Sequence, residues 1–480
     1  MPGSPTPARP GWTLALLAFA QFIIAIDYNI VYVALPDIGQ ELHFPGHTLQ
    51  WVVSAYAITL GGFMLLGGRA ADLLGRRRMF VLALLLYAVS SLVGGLAQTP
   101  ALLVAVRAVQ GLGAALLFPA TLALVGTLFA EGPERNRAMA VWAAMGGSGL
   151  AAGALLGGVL TDAFGWESTF YIFVVLALAA LAAAFALLPP DEAHGEERPR
   201  RFDLPGALTA TAGITLLVLA LAQGPAWGWT SAPVLAATGA GLALLASFAV
   251  IEARGRDPLM PPRMFANPSL VAAMAITAVF GAGLGAHYYL LTVYLQDVLR
   301  YDPLRAGLAY LPLTLLNIAG TKAAERLIAR TGMRTALAAG LLTGTAGLAL
   351  LGLTLSPGAP FTAVLPAIMV TGLGMGIVWT CMWIAAGTGV APGRQGVASG
   401  MASVTHQTGL AVGTALMVAV SAAGTAGFDG DALRGELTEG LGTAYHLAAA
   451  VTLAGVLVAG LALGRRSPAR AARQGTGTST

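Results

Sequence analysis

Long apolar runs recur along the whole chain, and their length and spacing suit a lipid solvent. Fourteen such runs lie at approximately 13–35, 48–68, 78–97, 101–128, 138–160, 167–188, 204–222, 232–251, 268–295, 304–322, 334–354, 359–383, 397–419 and 443–464. About 20 apolar residues in a helix cross the roughly 30 Å of a bilayer's hydrocarbon core. The turns between the runs are short and polar, whereas a membrane β-barrel would show alternating segments of about ten residues. Composition agrees: 57% of the 480 residues are hydrophobic and only 10% charged, against about 25% charged in soluble domains. The expected fold is an all-α polytopic bundle of fourteen transmembrane helices.

The arginines set an orientation. Of 26 basic residues, 22 fall on the side that holds the amino terminus, from Arg9, Arg69 and Arg76 to Arg78 through Arg465, Arg466, Arg470 and Arg473. Arg300, Arg305 and Arg434 fall on the other side, and Arg107 lies inside a run. By the positive-inside rule both termini are expected in the cytoplasm. The net charge of +4 therefore describes topology and gives no reason to expect nucleic-acid binding. The first run is too long for the apolar core of a signal peptide. Lys322 is the only lysine, a bias typical of GC-rich bacterial genomes, so the expected location is a bacterial inner membrane. Cys381 is the only cysteine, which rules out an intrachain disulfide; no metal site is expected.

An internal repeat organises the runs. Gly149-Leu150-Ala151-Ala152-Gly153 recurs as Gly409-Leu410-Ala411-Val412-Gly413, an offset of 260 residues. Gly111-Leu112-Gly113 recurs as Gly372-Leu373-Gly374, and the turn Gly75-Arg76-Arg77 as Gly332-Met333-Arg334. Two parallel six-helix halves, 12–188 and 268–464, are thus expected around two inserted helices at 204–251. Linkers are expected at 189–203 and 252–267, with disordered tails at 1–11 and 465–480. Transporters built this way hold substrate near the midplane between the halves and rock one half against the other.

Two charges break the repeat. Asp27 sits mid-run, where a carboxylate costs about 2.5–3.5 kcal/mol on insertion scales and usually handles ions or substrate. Sliding by 260 residues carries Asp27 onto His287 and Arg107 close to Ile368. A residue required by the shared fold would occur in both copies, so these charges point to function. Asp27 and Arg107 lie about 12 and 9 Å deep at 1.5 Å per residue, and are expected to share one vestibule. Burial and pairing with a cation pull the proton affinity of Asp27 in opposite senses, which suits proton coupling. Tyr28, Tyr32, His287, Tyr288, Tyr289, His406 and Gln407 are candidate cavity residues, with Trp142, Trp379 and Trp383 as further aromatics for flat ligands. Gly149, Gly153 and Gly157 share one helix face, suited to close helix packing.

Several motifs resemble the major facilitator superfamily. Gly68-Arg69-Ala70-Ala71-Asp72-Leu73-Leu74-Gly75-Arg76-Arg77-Arg78 looks like its signature loop. Arg107 to Gly113 looks like its fourth-helix motif, and Asp27 to Pro36 like the first-helix motif of its fourteen-helix drug:proton antiporters. The helix-five motif departs from the pattern, with Ala154 where the family carries proline. The resemblance implies proton-driven export of lipophilic compounds by alternating access, with Asp27 and Arg107 as coupling residues. Gly68, Asp72, Gly75 and Arg76 would form a cytoplasmic gate. No cofactor is expected beyond the proton gradient, and the partners would be a small lipophilic substrate, protons and the bilayer around a monomer. No phosphate-binding loop is present to couple ATP directly, and no enzymatic activity is expected. A single available carboxylate favours neutral or monocationic substrates. Proton-coupled uptake, and export of a lipid or secondary metabolite, stay open as alternatives.

Overall fold

The computed structural model describes residues 9–44, 48–49, 51–191, 204–255, 262–391, 394–422, 424, 428 and 430–462. Both expected tails, and most of the two expected linkers, lie outside these residues. Every regular element among them is a helix, as backbone that crosses a membrane must satisfy its own hydrogen bonds.

The first six helices are α1 (Pro10–Glu41), α2 (Trp51–Leu74), α3 (Arg76–Gly95), α4 (Pro100–Leu128), α5 (Pro133–Phe164) and α6 (Ser168–Leu187). Then come α7 (Leu204–Trp227) and α8 (Ala232–Arg254), followed by α9 (Pro268–Phe280), α10 (His287–Val293), α11 (Pro303–Ala309) and α12 (Leu311–Thr331). The last four are α13 (Met333–Thr354), α14 (Phe361–Gly387), α15 (Gln395–Ser421) and α16 (Gly430–Ala462). Two π-helical segments, Gly281–Gly285 and Tyr294–Val298, join α9 and α10 into one span. By length and apolarity, ten spans cross a membrane. The remaining runs form α5, α7, α12 and α15, so fourteen crossings are compatible with the fold. α12 falls short because Lys322, Glu325 and Arg326 crowd its last turns.

Local chemistry sets the helix ends. Proline, whose fixed φ suits the first helical position, opens α4 and α9. Thr99 caps α4 by accepting the Leu102 N–H at 3.3 Å, and Asn267 caps α9 through the Ser269 N–H at 3.0 Å. The α2–α3 and α12–α13 turns repeat across the halves: Gly75 has φ +106° and Gly332 φ +86°, a region that only glycine enters cheaply.

In the first half α1 packs on α5, α2 on α4, and α3 on α4 and α6; in the second, α13 and α12 pack on α14, and α15 on α9. Two seams join the halves, α2 against α15 and α5 against α12. The inserted pair packs on itself, and α7 lies over the first seam, touching both α2 and α15. Small residues set these distances, as expected where lipid gives helices no hydrophobic drive to associate. A Cβ on Gly153 would stand 2.5 Å from the Ile26 carbonyl, and one on Gly149 2.5 Å from the Ala25 side chain. Gly157 is buried on the same helix.

Candidate functional site

A buried carboxylate persists only when its oxygens are bonded, and those of Asp27 are. Asp27 on α1 has no exposed surface and Arg107 on α4 has 1%. Arg107 Nη1 donates to Asp27 Oδ1 at 2.6 Å and to Gln110 Oε1 at 3.0 Å, while Nε donates to the Val52 carbonyl at 2.9 Å. Gln110 Nε2 in turn donates to Ser91 Oγ at 2.8 Å. The Tyr87 hydroxyl donates to Asp27 Oδ2 at 3.4 Å and shares a 3.1 Å hydrogen bond with the Tyr56 hydroxyl. The Arg107 guanidinium carbon lies 4.4 Å from the centre of the Tyr56 ring, a cation–π geometry. Helices α1 to α4 all contribute to this network.

Close approach of α4 to α2 makes it possible. A Cβ on Gly111 would collide with the Tyr56 carbonyl and with Thr59, so the missing side chain lets Arg107 reach Val52.

From Tyr56 a track of rings leads to the other half. Tyr28 meets Tyr56 edge to face at 6.0 Å, and Gln407 Nε2 on α15 donates to the Tyr28 hydroxyl at 3.4 Å. His406 Nδ1 lies 3.0 Å from Gln407 Oε1, and its ring centre lies 5.3 Å from that of Trp379. Tyr28, His406 and Gln407 are therefore joined to the Asp27 pair. Tyr32 is 51% exposed and stands near Tyr28, Arg107 and Tyr289, itself 37% exposed.

The other second-half candidates turn elsewhere. His287 is fully buried, with Nδ1 3.1 Å from the Tyr445 hydroxyl on α16. Tyr288 stacks on Tyr310 at 6.0 Å and accepts that residue's hydroxyl on its carbonyl at 2.8 Å. Among the described residues no hydrogen bond or ring contact joins His287 to Asp27, although the repeat superposes the two.

The arginine-rich face is closed across the α2–α15 seam. Asp72 accepts the Gly396 N–H at 3.0 Å and the Val397 N–H at 2.9 Å, where α15 begins. Arg76 Nη2 holds the same carboxylate at 3.3 Å. A Cβ on Gly68 would strike the Gly396 carbonyl, so Gly68 lets the seam close while Asp72 ties it. Asp191, just beyond α6, does the same for α3, accepting the Arg77 N–H at 2.9 Å and the Arg78 N–H at 3.0 Å. Gly75 makes room for it, since a Cβ there would meet the Asp191 side chain.

Sequence reasoning missed Tyr56, Tyr87, Ser91, Gln110 and Asp191. Gln110 was within reach, because it lies three residues after Arg107 on one helix face. The tyrosines and Ser91 come from other helices and carry no local signal.

Comparison with known proteins fits this geometry. The profile of the Major Facilitator Superfamily matches residues 17–414. The puromycin resistance protein pur8 of Streptomyces alboniger is 38% identical over 89% of this chain and 84% of its own. The cephamycin export protein CmcT of Amycolatopsis lactamdurans is 37% identical over 86% and 85%, and the lincomycin resistance protein of Streptomyces lincolnensis 34% over 94% and 91%. In fold, the chain is similar to the human organic anion transporter MFSD10, with a TM-score of 0.68 at 16% identity over 94% of this chain and 99% of the other. A multi-pass helical bundle with two seamed halves, a profile match along most of its length and these relatives agree: the chain belongs to the major facilitator superfamily.

Proposed function

We propose that the chain is a proton-coupled exporter of lipophilic antibiotics or drugs, neutral or singly positive, working by alternating access. The observation that carries this reading is the buried Asp27–Arg107 pair, bonded at 2.6 Å and connected through Tyr56 and Tyr28 to Gln407 of the other half. Protonating Asp27 discharges the pair and loosens its hold on Arg107, which stays bonded to Val52 and Gln110. The proton state of one carboxylate is thereby felt at the contact between the halves. Relatives named for puromycin and lincomycin resistance and for cephamycin export support the substrate class.

The arginine-rich face is the cytoplasmic one in this reading, with both termini inside a bacterial inner membrane, and the closed Asp72 seam makes the arrangement outward-facing. The molecule acts as a monomer, needs no cofactor, and performs no covalent chemistry. Inside-out vesicles test the reading. With an acidic lumen they should accumulate puromycin or lincomycin, and a protonophore should abolish the accumulation. Uptake only with an alkaline lumen would instead identify a symporter, and no gradient-dependent movement of any compound would overturn the proposal.

A further inference from the structure

Aromatic rings meet where the two halves touch, and three of them carry a donor with nothing to donate to. Phe118 on α4 and Trp142 on α5 come from the first half; Trp379 and Trp383 on α14, with His406 on α15, come from the second. The centre of the Trp383 ring lies 5.2 Å from Phe118, 6.0 Å from Trp142 and 5.6 Å from Trp379, all edge to face. Trp142 is 0% and Trp383 2% exposed. The indole nitrogens of Trp142, Trp379 and Trp383 are all closed off from solvent, and none has an acceptor among the described residues. Buried indoles normally find an acceptor. Three orphaned donors in one cluster leave a demand that the protein does not meet.

The chemistry of that demand is specific. An indole nitrogen donates and cannot accept, so its complement is a carbonyl or another oxygen acceptor. The rings supply flat apolar faces. Among the described residues no acidic or basic side chain bonds into the cluster, and His406 is committed to Gln407.

Location fits a site that opens and closes. Counted from helix ends on the arginine-rich side, Trp142 lies nine residues in, Phe118 ten, Trp379 eight and His406 eleven, or about 12–17 Å at 1.5 Å per residue. When the halves part on that side, Phe118 and Trp142 travel with α4 and α5, and Trp379 and Trp383 with α14. Rings that now cover one another become the walls of a slot.

We propose that Trp142, Trp379 and Trp383 form a binding site for flat, uncharged molecules bearing oxygen acceptors, offered when the arginine-rich face opens. The site rests on the alternating-access exporter reading and names the chemistry that one part of its cavity selects. It sits at the far end of the ring track from Asp27, so acceptor-bearing and cationic substrates are held by different groups.

Replacing tryptophan by phenylalanine keeps a ring and removes the N–H. Binding of two probes to purified protein in nanodiscs tests the site: quinizarin, a flat neutral hydroxyquinone, and ethidium, a flat monocation without a carbonyl. Trp142→Phe, Trp379→Phe and Trp383→Phe should each weaken quinizarin about tenfold, the loss expected for one hydrogen bond, and leave ethidium unchanged. Unchanged quinizarin affinity in all three overturns the proposal and assigns the N–H groups to water. Equal losses for both probes also overturn it, because ring packing is then what changed. Unfolding temperatures identify any variant that fails to fold, and the other two then carry the test. Transport is measured separately. Variants that lose quinizarin binding in a protein with no proton-driven transport would sink the exporter reading and leave the site standing; proton-driven transport with unaltered binding would do the reverse.

Discussion

Asp72 and Gly396 are separated by 324 residues, yet the Gly396 N–H donates to Asp72 Oδ1 at 3.0 Å. The contact sets a full negative charge against the positive end of the α15 dipole, across the seam between the halves. Such a placement is worth about 0.3–2 kcal/mol, enough to bias a balance between open and closed states without locking it.

Asp72→Asn keeps an acceptor and removes the charge. Opening of the arginine-rich face should become easier. A cysteine introduced as Ser399→Cys, at a position 7% exposed near the start of α15, reports this in a Cys381→Ser background. Its modification by a maleimide should be about 2- to 30-fold faster with Asp72→Asn, the range set by that dipole term. Equal rates would show that the seam is held by packing alone.

The coupling pair predicts a separation of stability from transport. Arg107→Ala strands a buried carboxylate, at a cost of about 3–5 kcal/mol, and should lower the unfolding temperature sharply. Asp27→Asn with Arg107→Gln removes both charges and should recover most of that loss. Neither variant should drive export with a pH gradient. A double variant that pumps like the wild type would remove the pair from the coupling mechanism.

Much of this was legible in the sequence because membrane crossing imposes length and apolarity on each helix. Depth alone brought Asp27 and Arg107 to one level, and the structure bonds them. Rotation about a helix axis was not legible. The repeat carries Asp27 onto His287, but the π-helical segments Gly281–Gly285 and Tyr294–Val298 flank α10. Each widens a turn and rotates the residues beyond it about the helix axis, and His287 faces Tyr445. The partners of Asp72 were open for a different reason: they are backbone N–H groups, and a side-chain pattern does not mark which helix start will arrive there.

His287 therefore carries its own expectation. Buried against Tyr445 and apart from Asp27, it should hold α10 to α16 and leave the pH dependence of transport alone. His287→Gln and Tyr445→Phe should each cost about 1 kcal/mol, one hydrogen bond's net worth, and should superimpose on the wild-type pH profile. A displaced profile in either variant would place His287 among the titrating groups of the cycle.

Gly111→Ala tests how the pair is positioned. The added Cβ collides with the Tyr56 carbonyl, which is backbone and cannot swing aside, so α4 must move from α2. Overpacking of this kind costs about 1–3 kcal/mol. It also pulls Arg107 from Val52. Transport should fall more than folding does, whereas a variant with wild-type transport would show that Arg107 needs no such placement.

Substrate charge is limited by the same network. Asp27 is already balanced by Arg107 at 2.6 Å, and its second oxygen is held by Tyr87. One cationic substrate can take the place of a proton there, with the faces of Tyr28 and Tyr56 adding about 0.5–2 kcal/mol of cation–π attraction. A second positive charge would meet Arg107 instead and would be buried without a partner, which is costly in a low-dielectric cavity. Ethidium and propidium share one ring system and differ by one charge. Cells or vesicles carrying the protein should export ethidium, and propidium should move at least about tenfold more slowly, the equivalent of about 1.4 kcal/mol. Comparable rates for the two dyes would require a second carboxylate in the path and would overturn the charge count.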